Sequence, residues 1–109
     1  MTKNLIYESN KIADVYIADT FLKRFLGYMF RKKPHYDAIL LKPCNSIHTF
    51  FMRFEIDVIF VNEDLEIVKK IEGLKPGRII TAVKGATMML EARSGLFYDC
   101  KLGEQIVIW

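Results

Sequence analysis

The sequence predicts a mostly β domain, α+β by content: a small antiparallel β sandwich or barrel-like fold with one short amphipathic helix packed on it. Two observations carry this prediction. Nine short apolar runs rich in Ile, Val, Phe and Tyr recur along the 109 residues, each of strand length and bounded by turn-forming residues. One further segment, at about residues 19–27, has the apolar spacing of a helix. Many short strands of this size are typical of sandwiches and barrels.

The predicted strands follow one another along the whole chain. In order they are NLIYES, DVYIA, AILLK, SIHTFFM, IDVIFVN, LEIVKKIEGL, GRIITAV, TMMLEA and QIVIW. Residues 62–64 are Asn, Glu and Asp, which tolerate turn conformations, so we expect a hairpin between the fifth and sixth strands. A tighter reversal at residues 53–55 would join the fourth strand to the fifth in a meander. Both sides of the fourth run are apolar, as in a central strand.

The segment ADTFLKRFLGYM predicts the helix. Asp19 or Thr20 can cap its N-terminus by accepting hydrogen bonds from free main-chain amides. Its apolar residues recur four positions apart: Phe21 with Phe25, and Leu22 with Leu26. Gly27 can adopt the left-handed conformation that ends many helices. We therefore expect an amphipathic helix over about residues 19–27 whose apolar stripe lies against the sheet.

The composition is that of a single globular domain spanning residues 1–109. Hydrophobic residues make up 51% of the chain and aromatic residues 13%, which is enough for a core without a metal or a disulfide. The Gly and Pro residues are scattered singly, so no linker or repeat divides the chain. The formal net charge of +3 is too small to imply nucleic-acid binding by itself.

The N-terminus and the cysteines predict a cytoplasmic protein. The first residues, MTKNLIYESNK, contain no apolar run of signal-peptide length, and no segment approaches the roughly 20 consecutive apolar residues of a membrane span. The two cysteines, Cys44 and Cys100, could form at most one bridge, whereas secreted domains that depend on disulfides usually contain more. Both are expected to be thiols in a reducing compartment, with no membrane association.

The stretch CNSIHTFFMRFEIDVIFV, residues 44–61, places polar side chains in a strongly apolar region. If the chain is extended here, Cys44 lies about 13 Å from His48, too far for a nucleophile and base to form a hydrogen bond. Only a sharp bend at Pro43 and Asn45 would bring the two together. A buried, hydrogen-bonded structural role is the commoner one for such a histidine. Two cysteines and two histidines without CxxC spacing give little signal for zinc, so we expect no metal and no cofactor.

Asp57 requires a partner because it shares a strand face with Ile59 and Val61, which favour burial. Arg53 lies across the proposed reversal and could form a bidentate ion pair with it. Main-chain amides of the turn are the alternative. A structural lock on the hairpin is the commoner role for such a pair, and a ligand-facing ion pair is the functional one.

Glu91 and a basic segment complete the set of candidates. Glu91 lies near the end of the run TMMLEA, whose two sides are both apolar, and it could simply mark where the strand meets water. Lys and Arg residues cluster over residues 23–33, with no acid between Thr20 and Tyr36. Such a run is usually a solvated face. Its interleaved aromatics have the spacing of core residues, which disfavours base stacking on nucleic acid.

Several segments together resemble the bacterial and archaeal family called domain of unknown function 192. They are ADTFLKRFLGYMFRK, HTFFMRFEIDVIFVNEDLEIV, LEARSG and LGEQIVI, which follow the order of the family and extend from Ala18 to Ile108. The resemblance implies a small β sandwich with one helix, and no established reaction. It also implies that Arg24, Asp57 and Glu91, which match polar positions of the family pattern, are candidates for a common site beside His48. The chain departs from that pattern at FMRFE.

These observations favour a non-enzymatic binding module for a small molecule or a partner segment. Its candidate binding residues share a polar side chain within or beside an apolar run: Arg24, His48, Arg53, Asp57 and Glu91. Phosphate-binding loops, nucleophile elbows and HExxH motifs are all absent. Two alternatives stay open. One is an enzyme in which His48 acts as acid or base with Asp57 or Glu91. The other is an interaction module that presents the basic segment, residues 23–33, to an acidic protein surface or to nucleic acid.

Overall fold

A computed structural model of the protein describes residues 1–109, which form nine strands and one helix. The elements are β1 (Thr2–Tyr7), β2 (Asn10–Ala18), α1 (Phe21–Leu26), β3 (Ala38–Leu41), β4 (Ile47–His48), β5 (Ile56–Val61), β6 (Ile67–Leu74), β7 (Ile79–Ile80), β8 (Met88–Arg93) and β9 (Val107–Ile108). Each of the nine predicted runs overlaps one strand, so the mostly β fold is confirmed. Neither α1 nor any other segment forms a helix with the length and apolar character of a membrane span.

Seven strands form one curled sheet in the order β6-β5-β8-β3-β2-β1-β9. All its neighbouring pairs are antiparallel except β2 with β3, which run parallel. The curl brings the two ends of the sheet toward each other. There the N–H of Ile67 on β6 donates to the carbonyl of Glu104, just before β9, at 2.9 Å. The result is a half-barrel in which both sheet faces support a core.

The prediction that β4, β5 and β6 form a meander is wrong for β4. Strand β4 pairs with β7 in a separate two-stranded sheet, whereas β5 lies between β6 and β8. The cause is Thr49, whose buried hydroxyl donates to the carbonyl of Lys75 at 2.7 Å and accepts from the N–H of Arg78 at 2.8 Å. These bonds turn the chain toward the segment before β7, so β4 ends at His48. The hairpin between β5 and β6 is confirmed.

Alternating side chains of the central strands divide the core into two clusters. Ile59 and Leu90 belong to the cluster on one face of the sheet. Val58 and Met89 belong to the cluster on the other face. The alternation places Glu91 on the same face as Met89, and the residues that follow α1 cover that face, since Tyr28 is buried in the same cluster.

Helix α1 has the expected ends but not the expected packing. The side chain of Thr20 caps it by accepting from the N–H of Lys23 at 3.2 Å, and Gly27 ends it with φ of 42°. No side chain of α1 is buried. Its four apolar side chains are 40 to 76% exposed: Phe21, Leu22, Phe25 and Leu26. The helix therefore stands over the sheet without filling the space beneath it.

The two cysteines are free thiols, as expected: Cys44 is partly exposed and Cys100 is buried.

Asp57 locks one end of the sheet through main-chain amides. Its side chain is 2% exposed; Oδ1 accepts from the N–H of Gly73 at 2.9 Å and Oδ2 from the N–H of Gly95 at 2.7 Å. The expected ion pair with Arg53 does not form; Arg53 is exposed and lies on the surface. Because a carboxylate offers acceptors in several directions, Asp57 can join the end of β6 to the turn that follows β8.

Replacing Asp57 by Asn tests this lock. The amide keeps one acceptor oxygen but turns a donor toward an N–H group, so a buried donor is left without a partner. We expect D57N to lower the free energy of unfolding by about 2–3 kcal/mol, measured by urea denaturation.

The matched control is Glu63→Gln, which changes an exposed carboxylate in the β5–β6 turn and should change stability by less than about 0.5 kcal/mol. Equal stability of D57N and E63Q would contradict the lock.

Candidate functional site

A pocket of about 320 Å³ lies in the space between α1 and the sheet. Helix α1 supplies one wall with Phe21 and Phe25, and the segment from Pro43 to β4 supplies the opposite wall. Leu41 at the end of β3 and Glu91 on β8 come from the sheet itself. The pocket is thus mostly apolar, with a few polar groups, which is the usual composition of a small-molecule site.

Glu91 is the buried acid of this pocket. Its side chain is 1% exposed, and Oε2 has no hydrogen-bond partner. Burial raises its pKa from the ordinary 4.5 to about 8, because an apolar environment penalises the charged form. Glu91 is therefore a neutral carboxylic acid at pH 7, with an O–H donor and a carbonyl acceptor available inside the protein.

Gly27 makes room for this acid. A Cβ atom at position 27 would overlap Oε1 of Glu91, and the left-handed φ of Gly27 disfavours any other residue. The glycine that ends α1 is therefore also the residue that allows the acid to approach the helix.

Arg24 and Cys44 are the next polar groups of the pocket. The Nη1 group of Arg24 donates to the carbonyl of Lys42 at 3.3 Å, which holds the guanidinium beside the segment that leads to Cys44. The Cys44 thiol donates to the carbonyl of Ser46 at 3.0 Å. Burial raises the pKa of this thiol, so it stays protonated at neutral pH and is a weak nucleophile.

His48 forms part of the rim between two phenylalanines. Its ring centroid lies 5.8 Å from that of Phe25 and 5.4 Å from that of Phe50. The N–H of Phe50 donates to Nδ1 of His48 at 3.3 Å, which assigns the neutral-ring proton to Nε2. His48 thus offers one N–H donor at the edge of an aromatic row.

The structure brings three of the five candidate residues together. Arg24, His48 and Glu91 line the same pocket, whereas Arg53 and Asp57 lie outside it. Asp57 uses both carboxylate oxygens to hold main-chain amides, so it has a structural role.

The extended spacing assumed between Cys44 and His48 does not apply. The strand begins only at Ile47, and both residues line the pocket. The bend that would bring them together is present at residues 43–46, and hydrophobic periodicity carries no information on such a bend. No group of three or more His, Cys, Asp and Glu side chains is arranged to hold a metal ion.

Comparison with known proteins identifies the family. The model of the family DUF192, described as "Uncharacterized ACR", matches residues 4–108. The chain belongs to the DUF192 family. A UPF0127 protein of Pyrococcus horikoshii is 41% identical over 100 residues, which cover 87% of this chain and 82% of that protein. A UPF0127 protein of Pyrococcus furiosus is 42% identical over 88 residues, or 76% of this chain and 74% of the relative.

Two solved structures share the fold of this DUF192 protein. A protein of unknown function from Novosphingobium aromaticivorans superposes with a TM-score of 0.79 at 19% identity, covering all of this chain and 84% of that one. A Sinorhizobium meliloti protein, described as a candidate transcription regulator, has a TM-score of 0.80 at 20% identity and covers 98% and 92% of the two chains. Identities this low establish the fold alone.

The pH dependence of the free energy of unfolding tests the protonation state of Glu91. Its folded-state pKa is raised, so the folded protein binds the proton more tightly than the unfolded chain. The stability gained from that proton is complete below the ordinary pKa of 4.5 and is lost as the pH rises toward 8. We expect Glu91→Gln to remove a slope that approaches about 1.4 kcal/mol per pH unit between pH 5 and 8.

Urea denaturation of both proteins at several pH values measures this difference directly. Groups other than Glu91 titrate in both proteins and cancel in the comparison. Parallel stability profiles for the wild type and E91Q would contradict a raised pKa.

Proposed function

We propose that this DUF192 protein is a non-enzymatic binding module whose pocket receives an apolar group ending in a hydrogen-bond acceptor. The observation that carries this proposal is the unpartnered Oε2 of Glu91 at 1% exposure in a 320 Å³ pocket. A buried polar group without a partner lowers stability by about 1–3 kcal/mol, and a site that binds a ligand is one of the few settings that explain such a group.

The composition of the pocket favours an uncharged inserted group. Phe25, Leu41 and Met52 give apolar contacts, and neutral Glu91 can donate to a carbonyl or hydroxyl oxygen. A cationic group is disfavoured by Arg24, which lines the same pocket. The ligand we expect is therefore an aliphatic or aromatic group with one oxygen acceptor, either free or part of a partner segment.

Proton transfer by Glu91 is the second candidate function. A carboxyl group with a pKa of about 8 exchanges its proton near neutral pH, the range in which a general acid or base works best. His48 lines the same pocket and could take part. The two functions differ in what Glu91→Gln does, because glutamine still donates a hydrogen bond but cannot transfer a proton.

We also propose that the protein works in a reducing compartment such as the cytoplasm. The support is chemical: both Cys44 and Cys100 are unpaired thiols, and disulfides predominate where the environment is oxidising.

A small-molecule panel tests the binding proposal. Compounds with one apolar group and one carbonyl or hydroxyl group are screened by thermal shift on the full chain, and an occupied pocket should also protect Cys44 from alkylation. Buried Cys100 serves as the internal reference within the same molecule. We expect hits to raise the melting temperature, since a ligand at a hundred times its Kd stabilises the folded state by about 2.7 kcal/mol.

Two substitutions of Glu91 separate the contribution of its hydrogen-bond donor to ligand affinity from that of the rest of the pocket. Glu91→Gln keeps a donor and should retain most of the affinity, whereas Glu91→Leu removes it and should weaken binding by about tenfold, equivalent to ~1.4 kcal/mol. Hits that neither protect Cys44 nor respond to E91L would contradict binding in this pocket, and a panel without hits would contradict the small-molecule form of the proposal. Turnover of a hit that E91Q abolishes would favour proton transfer.

A further inference from the structure

The small net charge conceals a strong separation of charge along the chain. Residues 20–36, 42–54 and 73–90 together contain ten Lys and Arg and no Asp or Glu, a formal charge of +10. All other residues together contain six Lys and Arg and thirteen Asp and Glu, a formal charge of −7. The three basic segments carry α1 and β4, which line the pocket, and β7, which pairs with β4.

The positive charge of these segments is almost entirely unpaired. Of the ten Lys and Arg residues, only Lys23 has an acidic partner, Asp19 at 4.0 Å. Arg31, Lys32 and Lys33 are exposed and lie in the segment between α1 and β3. A basic surface without internal partners attracts an anionic partner and accelerates its association.

Exposed apolar side chains extend outward from the pocket on the same elements. Phe21 stacks on Phe25 with centroids 6.2 Å apart, and Phe25 leads through His48 to Phe50. On β7, the exposed Ile79 pairs with His48 across the small sheet. The apolar surface is therefore continuous from α1 to β7 rather than confined to the pocket.

A second exposed aromatic pair lies on a segment with an unfavourable backbone conformation. Phe30 and Phe51 stack at 5.3 Å, and both are exposed. Both have left-handed φ values, 66° and 63°, and the N–H of Phe30 donates to the carbonyl of Phe51 at 3.0 Å. Bulky residues rarely adopt this conformation, and its occurrence is concentrated at functional sites. Two stacked rings therefore lie exposed to solvent on a strained backbone, where a partner would bury them.

We propose that this face docks an acidic polypeptide segment, one of whose apolar side chains enters the pocket. This inference rests on the proposed function and specifies its partner. Acidic residues of the segment meet the basic surface formed by Arg31, Lys32, Lys33 and Arg53. Its other apolar residues lie against the exposed phenylalanines. The side chain that enters the pocket ends in the oxygen acceptor that Glu91 requires, as the hydroxyl of a tyrosine does.

A polypeptide fits these features better than other anionic partners. A bilayer surface is too broad to fill a pocket whose polar group lies at 1% exposure. Single-stranded nucleic acid stacks on aromatic rings, but Leu22 and Ile79 are exposed on the same face and offer no ring. An acidic segment with aliphatic or aromatic residues complements every part of this surface.

Selection from a random peptide library tests the inference. Twelve-residue random peptides are displayed against the immobilised full chain. We expect the recovered sequences to be enriched in Asp and Glu together with Tyr, Leu, Phe or Trp. Recovery of neutral or basic sequences, or no enrichment after repeated rounds, would overturn the inference.

Matched charge reversals then locate the binding surface. In one variant Lys32, Lys33 and Arg53 become Glu; in the control, Lys3, Lys69 and Lys101, which are exposed outside the basic segments, become Glu. We expect the first variant to bind the recovered peptide on the order of tenfold more weakly at low salt, and the control to bind it like the wild type. Equal losses in both variants would overturn the inference, as would tighter binding of a 20-mer oligothymidylate or of phosphatidylglycerol vesicles than of the peptide.

These experiments test the pocket and the basic surface independently of each other. Peptide binding that is unchanged by Glu91→Leu but lost on charge reversal supports an acidic partner. The same result contradicts the insertion of one of the partner's side chains into the pocket. Small molecules that protect Cys44 while no acidic peptide is recovered support the pocket and overturn the partner.

Discussion

A carboxyl group buried in a sheet needs either hydrogen-bond partners or a proton, and this protein uses both solutions on neighbouring strands. In the β5–β8 ladder Asp57 lies opposite Ala92, and Val58 lies opposite Glu91. Asp57 faces one side of the sheet and accepts from two main-chain amides. Glu91 faces the other side, has no partner for Oε2 and takes up a proton instead. The first arrangement stabilises the fold, and the second leaves a reactive polar group for a ligand.

The pocket exists because the elements above Glu91 do not close over it. Helix α1 is only six residues long, and it ends at Gly27, where the acid approaches the main chain too closely for a Cβ atom. Tyr28 then enters the core, so the helix is held above the sheet with its apolar side chains exposed. The same geometry that leaves the pocket open also creates the apolar surface around it.

Hydrophobic periodicity was enough to predict the strands and the helix ends, because each depends on local sequence. It could not predict the partner of β4, which is set by hydrogen bonds of Thr49 to a segment 26 to 29 residues away. The need of Asp57 for a partner followed from its apolar neighbours, but Gly73 and Gly95 lie too far along the chain to be inferred from spacing. The spacing of Phe21 and Phe25 predicted burial, and only the tertiary arrangement shows that these rings face the pocket and solvent. Arg24, His48 and Glu91 were selected as polar residues, and their convergence required the fold.

Carbon NMR of the full chain with labelled glutamate measures the protonation state of Glu91. The side-chain carboxyl signal of Glu91, assigned by its loss in Glu91→Gln, is followed from pH 4 to pH 9. We expect this carboxyl group to remain neutral at pH 7 and to titrate near the pKa of about 8 that burial imposes, well above the ordinary glutamate value. A Glu91 signal that titrates together with the exposed glutamates would overturn the assignment of Glu91 as a neutral buried acid, because the acid would then be charged and solvated at neutral pH.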